Sequence, residues 1–157
     1  MRTISKKTKY GLQALLALSR RFGEGPVLIA TLASEEEIPL KFLELILLDL
    51  KNGGIVESRK GRGGGYNLAR PPAEITVGSV IRIMDGPLAP LPCASESAYR
   101  PCAECKDVED CGTRIIMREV RDAIATILDH TTLQDVLGKV DAVRSSRQSA
   151  EDIMYYI

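Results

Sequence analysis

Four cysteines, Cys93, Cys102, Cys105 and Cys111, fall within one short stretch and nowhere else in the chain. Thiolates ligate soft metals, and several of them in one irregular loop make a place to bind one. The spacing is C-x8-C-x2-C-x5-C. Zinc sites prefer two CxxC-like pairs, and only Cys102 and Cys105 form such a pair. The one histidine, His130, falls well beyond the cysteines, so no Cys/His zinc set forms locally. Three or four thiolates in a loop with glycine nearby suit an iron–sulfur cluster. Zinc, and reduced structural or redox-sensing thiols, are the competing readings.

A second constellation precedes the cysteines. Pro39, Leu40 and Lys41 open an apolar-periodic segment that continues through Glu44, and a basic, glycine-rich run follows at Arg59, Lys60, Gly61, Arg62, Gly63, Gly64 and Gly65. A recognition helix presents its first residues to base edges in the major groove, and a wing lays cations on phosphates or in the minor groove. A glutamate at that place can accept from the cytosine amino group. Lys6, Lys7 and Lys9 stand where a first helix could reach phosphates. The competing readings are a winged helix that binds protein through a solvated basic hairpin, and a phosphate-cradling loop. The latter lacks the GKS/T ending and no helix follows it.

The elements that must position these residues are legible as periods. Residues 6–21 carry apolar Tyr10, Leu12, Leu15, Leu16 and Leu18 behind leading lysines, an amphipathic helix that Gly23-Glu24-Gly25-Pro26 breaks. A short helix fits Ile29–Glu36. The third runs from Pro39, which suits its first position, to Lys51, and Asn52-Gly53-Gly54 stops it. The period then drops to two: strand Ile55–Arg59, the glycine turn, and a returning strand Tyr66–Ala69. Three helices and a basic-tipped hairpin are the order of a winged helix-turn-helix. A short helix at Thr76–Met84, capped by Thr76, is expected next, and residues 86–110 look irregular.

From Thr113 to Asp129, Ile116, Val120, Ala123 and Ile127 recur at four-three-four spacing with Ile124 beside them, a coiled-coil-like seam. Arg114, Arg118, Glu119, Arg121 and Asp122 confine the apolar surface to that stripe. An ordinary core helix is the plain alternative, but little else in the chain is left to cover the stripe, so a homodimer is expected. Thr131 or Thr132 caps a short helix ending at Gly138. A polar, mobile tail is expected from residue 140, although its last residues, from Ile153 to Ile157, are apolar.

Composition sets outer bounds. A chain of 157 residues, 45% apolar, suffices for one small domain and an extended helix. No apolar run approaches the ~20 residues of a membrane span. The basic start lacks the apolar core and cleavage site of a signal peptide, so a cytoplasmic protein with reduced thiols is expected. The net charge of zero hides an asymmetry: residues 1–70 hold 12 Lys/Arg against 7 Asp/Glu, and residues 71–157 hold 9 against 14. A basic half joined to an acidic half fits a nucleic-acid binder with a separate sensing or dimerising part. No catalytic constellation is legible, and an enzyme is not expected.

The chain resembles the Rrf2 family of bacterial winged-helix regulators, of the IscR, NsrR and RirA types. The resemblance covers residues 1–139 and is carried by KTKYGLQALLALS, by IPLKFLELILLDLKNGGIVESRKGRGGGYNLAR, by ITVGSVIRIMDG, and by Cys105-x5-Cys111 followed by the long helix and TTLQDVL. It implies a dimer whose long helices cross and whose winged helices bind a palindromic operator in double-stranded DNA. It also implies a [2Fe–2S] or [4Fe–4S] cluster on three cysteines, here Cys93, Cys105 and Cys111, plus a variable fourth ligand. The fourth ligand of the IscR type is a histidine where this chain has Arg114, and the NsrR type takes an aspartate where this chain has Lys9. Cys102, an exogenous ligand, or a carboxylate such as Glu104 or Asp107 then remains.

The expected protein is mainly α with a small β-hairpin wing. Residues 1–85 form a winged helix-turn-helix, 86–112 a cluster-binding loop, 113–139 the dimerisation helix with a short helix after it, and 140–157 a mobile tail. The expected function is that of a dimeric transcriptional regulator, most simply a repressor, that senses iron, cluster supply or redox and nitrosative stress. Some members of the family regulate cysteine and sulfur metabolism without a cluster, through thiol oxidation or a partner enzyme, which is the alternative. A small iron–sulfur electron-transfer protein is a third class, and the winged-helix segment argues against it.

Overall fold

The computed structural model describes residues 4–105 and 107–155. Among the described residues, six α-helices and a two-stranded antiparallel hairpin run in the order α1 (Lys6–Arg20), α2 (Ile29–Glu35), α3 (Leu40–Asn52), β1 (Val56–Arg59), β2 (Gly65–Leu68), α4 (Val77–Asp85), α5 (Gly112–Asp129) and α6 (Leu133–Tyr155). This is a mostly helical winged-helix fold, as the residue periods predict. Short 3-10 turns occupy Pro72–Glu74 and Pro92–Ala94.

One apolar core joins the elements. Ala14, Leu15 and Leu18 of α1 meet Leu43, Ile46, Leu47 and Leu50 of α3, with Leu32, Ile55, Leu68, Ile75, Val80 and Leu133 around them. Burying each such large side chain stabilises the fold by roughly 1.5–3 kcal/mol. Ser5 caps α1 by accepting from the Thr8 N–H at 3.1 Å. Its own N–H donates to the Asp85 carboxylate at 2.9 Å, so the start of α1 is tied to the end of α4. Pro39 is the N-cap of α3 rather than its first helical residue. The helix ends where the Ile55 N–H donates back to the Leu50 carbonyl and the Gly54 N–H to that of Lys51.

The hairpin pairs Val56 with Leu68 and Arg59 with Gly65. Val27 also exchanges two backbone hydrogen bonds of 2.8 Å with Tyr66, which anchors the wing to the segment before α2. Gly65 permits that approach: its φ is 147°, and a Cβ there would lie 2.3 Å from the Val27 carbonyl oxygen. Backbone meets backbone, so neither side can yield cheaply. Gly65→Ala is expected to cost roughly 2–4 kcal/mol, from strain and broken hydrogen bonds, and to lower the melting temperature by about 5–15 °C. A thermal melt within about 2 °C of wild type would contradict this.

Two differences from the sequence reading matter. The helix expected to stop at Gly138 instead continues to Tyr155, and only residues 156 and 157 of the expected tail lie outside the described residues. Thr132 and Asp135 form a capping box at its start, with Asp135 accepting from the Thr132 N–H at 2.8 Å and the Asp135 N–H donating to Thr132 Oγ1 at 3.1 Å. No proline or glycine follows Gly138, and Lys139, Ala142, Arg144, Arg147, Gln148, Ala150 and Glu151 beyond it are good helix formers. Arg20 also holds Asp141 at 3.1 Å, tying α6 to α1.

The second difference concerns how α5 joins the winged helix. The Val77 N–H donates to the Thr131 carbonyl at 2.8 Å and the Leu133 N–H to that of Ile75 at 2.9 Å, a backbone stitch at the α5–α6 corner. Arg82 of α4 grips the Asp129 carboxylate with two nitrogens, one at 2.8 Å. This bond holds the Asp129 carboxyl below its ordinary range. Gly78 leaves room for it, since a Cβ there would lie 2.0 Å from Asp129 Oδ1. The C-terminal end of α5 is therefore fixed to the winged helix.

Candidate nucleic-acid interface and thiol loop

The cations expected to meet DNA lie on three elements: the start of α1, the start of α3 and the hairpin. Arg59, Lys60, Arg62 and Gly63 are exposed at the hairpin tip. Gly64 is buried: its N–H donates to the Gly61 carbonyl at 3.0 Å, and a Cβ would strike the Arg59 carbonyl, so it closes the turn rather than facing outward. Lys9 is exposed, and Lys6 lies over the Tyr10 ring, 5.5 Å from its centre. Lys7 is different, since its ammonium pairs with Asp49 of α3. Its charge is thus largely spent within the chain.

Pro39, Leu40 and Lys41 stand exposed at the start of α3. Lys41 pairs with Glu44 at 3.1 Å, so these two candidate base readers are bonded to each other. The exposed stripe of α3 continues through Leu45 and Leu48, which the sequence reading did not single out. Their position opposite the buried quartet was the available signal.

All four cysteines sit on the segment between α4 and α5, and all are free. Cys93 lies in the Pro92–Ala94 turn and Cys111 is the N-cap residue of α5. The backbone N–H groups of Arg114 and Thr113 at that helix start, together with the Arg114 guanidinium, hold the Cys111 thiol below its ordinary range. Burial and the neighbouring Cys111 push the Cys105 thiol up, with weaker contributions from Cys102 and Cys93. Cys102 donates to Glu104 at 3.0 Å, which raises its thiol. The Asp107 carboxylate accepts from the Glu109 and Asp110 N–H groups, an internal turn that occupies it.

The four thiols thus share one loop, and the Cys105 and Cys111 thiols shift each other's titration, while Cys105 itself donates to the Asp107 carbonyl at 3.0 Å. Among the described residues, no three thiol, imidazole or carboxylate groups already stand where they would hold one metal ion. The donor chemistry fits a soft metal or an iron–sulfur cluster. To hold such a group, the loop would have to draw in.

Two arginines of α5, seven residues apart and so on one face, fasten this loop. Arg114 donates to the Cys93 carbonyl at 3.0 Å and the Val108 carbonyl at 3.3 Å, with Tyr99 6.0 Å away. Arg121 is only 7% exposed and donates to the Ala94 carbonyl at 2.7 Å. The position that cannot ligate therefore organises the loop, and Arg121, read from the sequence as surface charge, is buried in the same task.

The opposite face of α5 is the expected seam. Ile116, Val120, Ala123 and Ile127 are exposed or nearly so, Ile127 to 66%. Ile124 is half-buried on the flank toward its own domain.

Residues 4–139 match the family model described as Rrf2: Iron-dependent Transcriptional regulator. A putative HTH-type rrf2-like transcriptional regulator of Rhodobacter capsulatus is 42% identical over 138 residues, covering 86% of this chain and 92% of its own. The solved structure of CymR, the global cysteine regulator of B. subtilis, superposes with a TM-score of 0.73 at 32% identity over 88% of this chain and 98% of that one. T. potens IscR superposes with a TM-score of 0.68 at 32% identity over 88% of each chain.

Proposed function

The chain belongs to the Rrf2 family of transcriptional regulators, and from that premise we propose that it is a homodimeric repressor whose operator binding is set by an iron–sulfur cluster. It acts in the cytoplasm on a palindromic operator and has no enzymatic role. The observation that carries this reading is the placement of α5. One end bears Cys111 and grips the thiol loop, and the other is stitched to the winged helix through Thr131, Leu133 and Asp129. What happens to the loop is thereby felt by the element that reads DNA.

Cys93, Cys105 and Cys111 would hold the cluster, with Cys102 as the nearest further thiol. A cluster bound there supplies iron–thiolate bonds that break on oxidation, nitrosylation or iron loss. The chain does the rest. Arg114 and Arg121 keep Cys93 against α5, and the N–H groups of Arg114 and Thr113 favour the Cys111 thiolate. The two states of the loop must differ in how they hold the paired winged helices, because only differential binding can switch the operator.

A cluster-free, thiol-responsive regulator is the second reading. It is favoured by the mutual influence of the Cys105 and Cys111 thiols, which lowers the one and raises the other, and by the likeness to a cysteine regulator. Anaerobic purification separates the two. Brown protein with iron and sulfide in stoichiometric amount, whose duplex affinity changes when the iron is chelated, is the expected result. Colourless, iron-free protein whose duplex affinity responds to peroxide would replace the first reading with the second.

The wing supplies sequence-independent contact. A Lys60→Ala/Arg62→Ala double variant should bind every duplex more weakly. It should also lower the slope of log affinity against log salt by about 2, roughly one unit for each phosphate that is no longer neutralised. Unchanged affinity and slope would show that the hairpin does not touch DNA.

A further inference from the structure

The face of α3 turned away from the core is apolar at its middle. Leu43, Ile46, Leu47 and Leu50 are buried. The opposite stripe, at four-three-four spacing, is Lys41, Leu45, Leu48 and Asn52, and all four are exposed. Leu45 is 58% and Leu48 50% exposed. One leucine in water is ordinary. Two on adjacent turns, centred on the outer face of the helix that follows α2 in a helix-turn-helix, call for a partner.

The surroundings select it. The stripe begins at Lys41 and ends at Asn52, and the neighbouring hairpin presents Arg59, Lys60 and Arg62. An apolar strip framed by cations and amides matches an anionic groove with apolar points on its floor. The major groove has one such point, the C5 methyl of thymine. A rise of about 1.5 Å per residue sets Leu45 and Leu48 about 4.5 Å apart along the helix. That is close to one base step of about 3.4 Å.

We propose that Leu45 and Leu48 read thymine methyl groups on neighbouring base pairs of each half-site. This rests on the regulator reading above. It assigns A·T preference at those positions to the methyl group itself rather than to the hydrogen-bonding edge of the pair.

The test uses the full chain and DNA duplexes. Wild-type protein first enriches its preferred duplex from a random-sequence library. That duplex is then remade with deoxyuridine replacing each thymine in turn, which deletes only the methyl, and affinities are read by fluorescence anisotropy. One or two positions per half-site should weaken about three- to fourfold, the worth of one methyl returned to water. At those positions Leu45→Ala or Leu48→Ala should bind the thymine and uracil duplexes equally, while Lys60→Ala/Arg62→Ala should keep the wild-type ratio. Alanine on an exposed helix face leaves the fold intact, so thermal melts should match wild type. No uracil-sensitive position, or full sensitivity surviving in the Leu45→Ala/Leu48→Ala double variant, overturns the proposal and leaves the stripe to a protein partner. Failure of wild type to enrich any duplex overturns the regulator reading itself, and this proposal with it.

Discussion

Protein carrying Val120→Asp is expected to run as a monomer in light scattering and to bind a duplex containing both half-sites at least about a hundredfold more weakly. Val120 is 37% exposed on the single chain, so an aspartate there costs the fold itself little. The cost arises when a second α5 covers the stripe. An isologous interface repeats the substitution, placing two carboxylates against each other, each with a desolvation penalty of several kcal/mol. One winged helix then reads only one half-site. Ile124→Asp should behave differently: Ile124 is half-buried toward its own domain, so part of the damage falls on folding, and insoluble protein is expected alongside monomer. A dimer with normal operator binding for Val120→Asp would show that the subunits meet elsewhere.

The second large effect is expected at the thiols. Cys93→Ala, Cys105→Ala and Cys111→Ala should each abolish iron and sulfide retention, because every missing thiolate opens a coordination position to water and oxygen. Cys102→Ala should do less. Cys102 is exposed at its turn and already bonded to Glu104, and an exogenous ligand can take its place. Thermal melts of all four variants without metal should match iron-free wild type, since the loop lies outside the apolar core. Full iron content in the first three variants would remove the assignment of these residues.

The winged helix was legible because its elements obey simple periods. Leu43, Ile46, Leu47 and Leu50 announce α3, and Thr76 caps α4 through the Ser79 N–H as its type predicts. The four cysteines were equally plain, since residue type alone marks a donor. What stayed hidden depends on partners far away in sequence. Lys7 read as a free cation because nothing local reveals Asp49, 42 residues on. Arg121 read as surface charge because its acceptor is a backbone carbonyl 27 residues earlier, and every residue type has one. The second half of α6 read as a tail because polar composition was weighed without helix propensity. Its apolar face is thin, with Leu133 and Leu137 buried but Val143 exposed.

The loop bearing the cysteines is fastened through the carbonyl oxygens of Cys93, Ala94 and Val108. Carbonyl oxygens are the same whatever side chain accompanies them. Mutational drift can therefore exchange thiols, carboxylates or inert residues along residues 93–110 without unfastening the loop or disturbing the reading head. Selection can retune the stimulus and keep the response. A loop held in this way can take up a different stimulus and still deliver the same movement to the winged helix.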